Sequence, residues 1–406
     1  MNRSLPFHAA SHTTARPSAF LPVLAKGFRP FFLLAALYAV LMVPLWLAII
    51  NGKVAPSPYL QPSVWHAHEM TWGFVTAVIA GFLLTAVGNW TKSETATGAP
   101  LAGLGLLWAV GRVAMLFSGA LPRGLPAVVD LAFLPALALV LARPLLAAKN
   151  RRNFVVVAIV AALFAANLVV HLEALAILPW GSGRRATLVS VDLILLLILI
   201  IGGRTFPMFT RNATGVATIR NVPWLDRTCI AAMTALLLVG ALLPGEEHAS
   251  AILAGVVALL AAARAIHWGA RHSLRDPLLW VLHAGYAWLV VGLLLRAATG
   301  VLGALPGSAA THALTVGAIG TLTLGMMARV SLGHTGRALV ASRAMSTACV
   351  AITLAALVRV LVPWLAPEQY AAGLFISGGL WVLAFAVFLI AYIPVLFRPR
   401  VDGRPG

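Results

Sequence analysis

The sequence predicts an all-α protein, a polytopic bundle of about 12 transmembrane helices with both termini cytoplasmic. Three observations lead there. Hydrophobic residues make up 61% of the 406 and charged residues only 10%, with mean hydropathy +0.95, whereas a soluble domain carries about 25% charged residues. Apolar runs of about 20 residues, enough to cross the hydrocarbon core of a bilayer, recur from end to end. The basic residues gather on one side of those runs, and no soluble domain is left over.

Breaks of Pro, Gly and charge delimit the spans in order. They run roughly 29–51, 65–88, 99–120, 124–147, 153–176, 186–203, 226–243, 248–268, 277–298, 308–330, 340–363 and 368–396. The first opens at KGFRPFF and closes at NGK, and the second opens at WHAHEM and closes at NWTK. Pro122 to Gly124 separates the third from the fourth, and KNRRN separates the fourth from the fifth. PWGSGRR precedes the sixth, whose end is set by Gly and Pro in the connector GGRTFPMFTRN. PGEEH follows the seventh, HWGARHSLRD the eighth, and the last four are parted by similar polar or Gly- and Pro-rich breaks. Residues 1–28 form a cytoplasmic tail, 29–396 a single 12-helix domain and 397–406 a second cytoplasmic tail. No convincing internal repeat is visible.

The charges test the count. With the N-terminus inside, 22 of the 29 basic residues fall in inside segments and 5 in outside loops. That split is what the positive-inside rule expects, and a missed helix would scramble every later loop. It explains the net charge of +18 without nucleic acid, and the partner expected is the lipid bilayer. Cys229 and Cys349 stand alone in apolar runs, so neither a disulfide framework nor a thiolate metal site is indicated. The polar N-terminus, with His8, His12 and Pro17, lacks the basic, apolar and small-residue series of a cleaved signal.

Orientation converts positions into depths, at about 1.5 Å per helical residue. His66 and His68 lie at the outer end of the second span, His171 about one turn before the outer end of the fifth, and His312 in the first turns of the tenth. Four histidines from three distant spans thus share one depth. Polar residues inside a span are costly and mark a pathway, ligand or cofactor. A single interfacial histidine is more often just solvated; four at one level point to metal or haem ligation from facing helices. Towards the cytoplasm, His283 is about two turns into the ninth span and is the best candidate of its group. His334 is a further candidate metal ligand, though it and His267 equally suit loop or headgroup contacts. His248 and His272 sit in loops.

Arg112 and Arg359 fall within spans in the outer half, and Arg296 ends the ninth span on that side. A buried guanidinium needs an anionic partner or a wet cavity. Protein carboxylates compete for that part with the carboxylates of a cofactor such as haem, but Glu69, Asp130, Glu173 and Asp192 are almost the whole supply near the spans. Met326 and Met327 read as packing. Trp65, Trp72, Trp90, Trp180, Trp224 and Trp364 fit interfacial belts, and Arg204 and Arg211 fit lipid phosphate contacts.

Four blocks, in order, carry a family resemblance: KGFRPFF (26–32), WHAHEMTWGFVTAVIAGFLLTAVGNWT (65–91), GGRTFPMFTRNA (202–213) and HALTVGAIGTLTLGMMARVSLGHTGR (312–337). They resemble the NnrS family of membrane proteins. The resemblance implies a haem- and copper-containing protein of the bacterial inner membrane, associated with nitric oxide metabolism and nitrosative-stress resistance. Haem b, in more than one copy, and copper are then the expected cofactors. Nitric oxide or a similar diatomic is the expected ligand, and a quinol or a periplasmic carrier the electron donor.

Two mechanisms stay open. Successive helical residues turn by about 100°, so His66 and His68 point roughly 200° apart and suit two different centres. In a redox enzyme, one would hold an electron-passing haem and the other the metal that binds nitric oxide for reduction to nitrous oxide. Glu69 would then deliver protons or fix an imidazole tautomer; a headgroup-level carboxylate at a helix start is the plain alternative. In a non-catalytic protein, the same residues would bind or sense nitric oxide, haem or copper. Transport is weaker, since acidic residues at the midplane are lacking.

Overall fold

The structure, a computed structural model, describes residues 21–303 and 307–404. His8 and His12 lie outside them. Among the described residues twelve helices are long and apolar enough to cross a membrane, and there is no strand. They are α1 (Phe28–Ile50), α2 (Pro62–Thr91), α3 (Gly98–Leu116), α4 (Leu125–Ala147), α5 (Arg151–Ala174) and α6 (Ser182–Thr214). Then follow α7 (Pro223–Leu242), α8 (Glu247–Trp268), α9 (Pro277–Leu302), α10 (Gly307–His334), α11 (Arg343–Leu365) and α12 (Pro367–Phe397). An even number of crossings brings both described ends to one face, called here the terminal face; the opposite one is the far face.

Local chemistry starts several of these helices. Pro occupies the first helical position of α2, α7 and α9, where a missing N–H costs nothing. Asp276 caps α9 by accepting from Leu278 N, and Ser342 caps α11 by accepting from Met345 N. On the outer helices, large apolar side chains such as Leu139, Leu259 and Ile390 are exposed; they face lipid, where no hydrophobic force drives them inward.

The bundle is organised around α2, α6 and α10. Their most apolar stretches are 89%, 83% and 78% buried, against 22–50% for the other nine. These three are spaced four spans apart, so the remaining helices form arcs around a central trio. α12 closes the circle on α1, with Trp381 Nε1 donating to Ala39 O. α9 and α10 approach closely because Gly317 receives the Trp288 indole where a Cβ would stand.

Two of the central helices carry the same local feature. α2 turns π-helical over Glu69–Val75 and α10 over Ala313–Gly320. Each π segment starts at the residue after a histidine, and π segments are frequent at functional sites. His68, Thr71, Gly73 and Gly81 match His312, Thr315, Gly317 and Gly325 in spacing. These are four identities in 14 positions, too few to make a sequence repeat, but they sit on a shared backbone shape.

Two further expectations change. GGRTFPMFTRN does not end α6, which continues through Pro207 to Thr214. Neighbours hold this end in place: Arg264 donates to Leu199 O, and Arg204 donates to Asn153 Oδ1. Trp65 and Trp72 are buried instead of interfacial, and Trp72 Nε1 donates to Leu163 O. Trp180, Trp224 and Trp364 are exposed as a belt requires, and Met327 is buried packing.

A buried histidine–carboxylate centre

The first turns of α2 place His66, His68 and Glu69 in one short stretch at the far-face end. Helical rotation sends the two histidines apart. His66 lies flat on Trp46 of α1, with ring centroids 4.5 Å apart and planes 9° from parallel. His68 points the other way, towards α4 and α5, where its ring meets that of His171 edge-on at 5.5 Å. Glu69 opens the π segment, and its carboxylate turns to Arg112 on α3 and Tyr38 on α1.

These groups form one continuous network. His68 Nδ1 lies 2.7 Å from Glu69 Oε1, and His68 Nε2 lies 2.9 Å from Asn167 Oδ1 and 3.3 Å from Asp130 Oδ2. Asn167 Nδ2 donates to Asp130 Oδ2 at 2.7 Å, and His171 Nε2 lies 2.9 Å from the same oxygen. Arg112 Nη1 donates to Glu69 Oε2 at 2.9 Å while its Nη2 pairs with Asp130 Oδ1. The phenol oxygen of Tyr59, in the loop between α1 and α2, lies 2.9 Å from His171 Nδ1. Burial pushes the Tyr59 phenol up to about 12, which keeps it neutral. His68, Glu69, Asp130, Asn167 and His171 are each 3% exposed or less.

The hydrogen bonds and charges together show what the cluster needs. Glu69, Asp130 and Arg112 sum to one negative charge. His68 faces an acceptor at both ring nitrogens, which a neutral imidazole with one N–H cannot satisfy. A proton or a metal ion beside His68 Nε2 would each supply the positive charge that balances this formal negative one. His68, Asp130 and His171 offer one ligand atom each, all within 4.8 Å of one another. Two imidazoles and a carboxylate suit first-row transition metals, copper among them. Glu69 on Nδ1 is the outer carboxylate that such a histidine normally carries.

The other predicted residues are dispersed. His312 takes no part in this cluster, and its Nδ1 lies 2.7 Å from the Ser308 carbonyl oxygen. Arg359 stacks over Tyr370 at 5.8 Å and keeps a buried Nη1 without a partner. Arg296 pairs with Asp192 at 2.7 Å and with Ser250. Two of the three arginines therefore meet protein carboxylates, because Asp130 and Asp192 turn inward. His283 bonds Thr210 at 2.9 Å, well away from the far-face cluster. His334 ends α10 at the terminal face, its ring 5.8 Å from that of Phe28.

Sequence reasoning did not single out Asp130 as a ligand, and it missed Asn167, Tyr59 and Tyr38. Asn167 carried a usable signal: it precedes His171 by four residues, which puts both on one helix face. Tyr59 and Tyr38 carried none, since each joins through tertiary packing.

The sequence model of the family described as NnrS protein matches residues 22–400, nearly the whole chain. No curated protein matches it.

Proposed function

The chain belongs to the NnrS family, and from that premise we propose that it is a haem- and copper-containing protein of nitric oxide metabolism and nitrosative-stress resistance. It resides in the bacterial inner membrane with the terminal face cytoplasmic and the far face periplasmic. The observation that carries the reading is the convergence of His68, Asp130 and His171, which are buried and offer ligand atoms within 4.8 Å of one another. Copper bound there would supply a redox-active Lewis acid for a diatomic ligand, and haem would supply one-electron transfer.

The favoured activity is reduction of nitric oxide, 2 NO + 2 H⁺ + 2 e⁻ → N₂O + H₂O, with electrons from a quinol or a periplasmic carrier. The chain's own groups have separable parts in this. Glu69 holds the Nδ1 proton of His68 and so fixes the tautomer that presents Nε2. Arg112 bridges Glu69 and Asp130 and holds both carboxylates in place. Tyr59 orients His171 and links the cluster by hydrogen bonds to the far-face loop, a route for protons from that side.

A second reading, non-catalytic binding or sensing of nitric oxide, haem or copper, is favoured by the enclosure of the cluster. Both nitrogens of His68 and of His171 are engaged within the protein. Purified protein given nitric oxide and reductant separates the readings. Nitrous oxide at a rate above that of the His171→Gln variant supports the enzyme. Bound copper without nitrous oxide supports the binding protein, and absence of both copper and haem overturns the proposal.

A further inference from the structure

We propose that Trp108 and Tyr38 are positioning residues that hold the π segment of α2 open, and that this wide turn aims His68 at Asn167 and His171. On the reading that His68, Asp130 and His171 take a metal ion, the wide turn thereby sets the ligand geometry.

A π turn holds one residue more than the α-helix it interrupts. Side chains on its far-face side are therefore turned by about 100° relative to those beyond it. On the terminal side of Glu69–Val75, α2 is fixed to α1: Phe28 N donates to Thr85 Oγ1 at 3.2 Å, and Gly81 lies against the rings of Phe31 and Phe32. On the far-face side, His68 Nε2 lies 2.9 Å from Asn167 Oδ1 on α5. Were the segment ordinary α-helix, with its lower part held as it is, Glu69 would come round to the place of His68. His68 would then leave the helix about 100° away, where Ala67 now stands, and would no longer face α5.

A π turn persists only where its surroundings hold it. Here they do. Trp108 on α3 is 4% exposed, and its Nε1 donates to Gly73 O at 3.1 Å, inside the segment. The Tyr38 ring of α1 occupies the space where a Cβ on Gly73 would stand, and its phenol donates to Glu69. One side chain thus touches the first and the fifth residues of the segment. The rings of Tyr38 and Trp108 brace each other edge to face, at 5.3 Å and 77°. Trp72 Nε1 donates to Leu163 O at 3.0 Å, one helical turn from Asn167. The device recurs in α10, where the π segment Ala313–Gly320 also follows a histidine. There Trp288 of the preceding span fills the space beside Gly317, the fifth residue after His312, as Gly73 is the fifth after His68.

The test follows the register of α2 on the full chain, first without metal and then with it. Among the described residues, His68–Asn167 is the sole hydrogen bond between a histidine and an asparagine side chain. Magic-angle-spinning NMR of metal-free protein, isotopically labelled in its histidines and asparagines, should show that contact in the wild type. Trp108→Phe keeps a ring and removes the N–H, and should lose the contact. Gly73→Ala, whose methyl competes with the Tyr38 ring, should lose it too. Deleting Met70 from the Trp108→Phe variant takes out the extra residue, restores the register as plain α-helix, and should return the contact. With copper(II) added, electron spin echo modulation should count two imidazoles in the wild type, one in Trp108→Phe and two again in the deletion variant. Copper affinity should be about 10–100-fold lower in Trp108→Phe than in the other two. A contact that persists in Trp108→Phe overturns the proposal. So does one that the deletion fails to return, because the loss would then be a general loosening. A wild type that binds no copper, while the NMR contact responds as described, sinks the metal reading and leaves the positioning role standing.

Discussion

His66 and His68 are two residues apart on α2 and belong to different environments: the first ring lies flat against Trp46 at 4.5 Å, the second edge-on to His171 at 5.5 Å. The proposed function reads that divergence as two centres, one on each side of α2. Replacing either histidine should therefore remove one centre and spare the other. His68→Gln should lower copper content with the haem spectrum kept, and His66→Met should do the reverse. Metal analysis beside optical spectra of the same samples checks this; parallel loss in both variants would mean a single shared centre.

Glu69→Gln keeps a hydrogen-bonding side chain beside His68 and removes one charge. The cluster of Arg112 and Asp130 is then neutral without an added cation. Metal affinity should fall by about 10–100-fold, the usual effect of losing an outer carboxylate. Competition with a chelator of known affinity measures it, and unchanged affinity would remove Glu69 from the account.

Asp192 is 1% exposed and pairs with Arg296 at 2.7 Å. Arg296→Met should cost roughly 3–5 kcal/mol, because it strands a buried carboxylate. Adding Asp192→Leu should restore most of that loss. Thermal unfolding of the two single variants and the double variant in one detergent gives the coupling; additive losses would show that the pair does not matter as a pair.

Tyr59→Phe removes the hydrogen bond to His171, worth about 1 kcal/mol. Burial raises the phenol to about 12 in the folded protein, above the value of about 10 in an unfolded chain. The neutral form is thus the one the fold favours. Its contribution is complete below about pH 10 and disappears as pH rises through about 12. The stability gap between wild type and Tyr59→Phe should be flat from pH 6 to 9 and close at higher pH; a gap that changes between pH 6 and 8 would assign the titration to another group.

The fold was legible in the sequence because a membrane span is a composition as much as a pattern. Every apolar run became a helix, and the expectation that His68 and His171 stand at one level is met by their contact at 5.5 Å. Helix rotation also separated His66 from His68 correctly. What stayed hidden depended on tertiary contact. Pro207 read as a stop, yet the side chains of Arg264 and Arg204 hold that end of α6 against its neighbours. Asp130 read as lying near a helix end, and only packing aims it at Arg112, His68 and His171. The π segments have no compositional mark, so the relation between His68 and His312 emerged from the backbone.

The central claim is that His68, Asp130 and His171 hold a metal ion. Metal content of protein purified without chelators, wild type against His68→Gln and His171→Gln, tests it most directly, with circular dichroism confirming that all three are folded. The account predicts a single copper ion in the wild type that both variants lose. Equal copper in all three proteins, or a wild type that binds no metal on titration, would contradict it and leave a protonated His68 as the charge that completes the network.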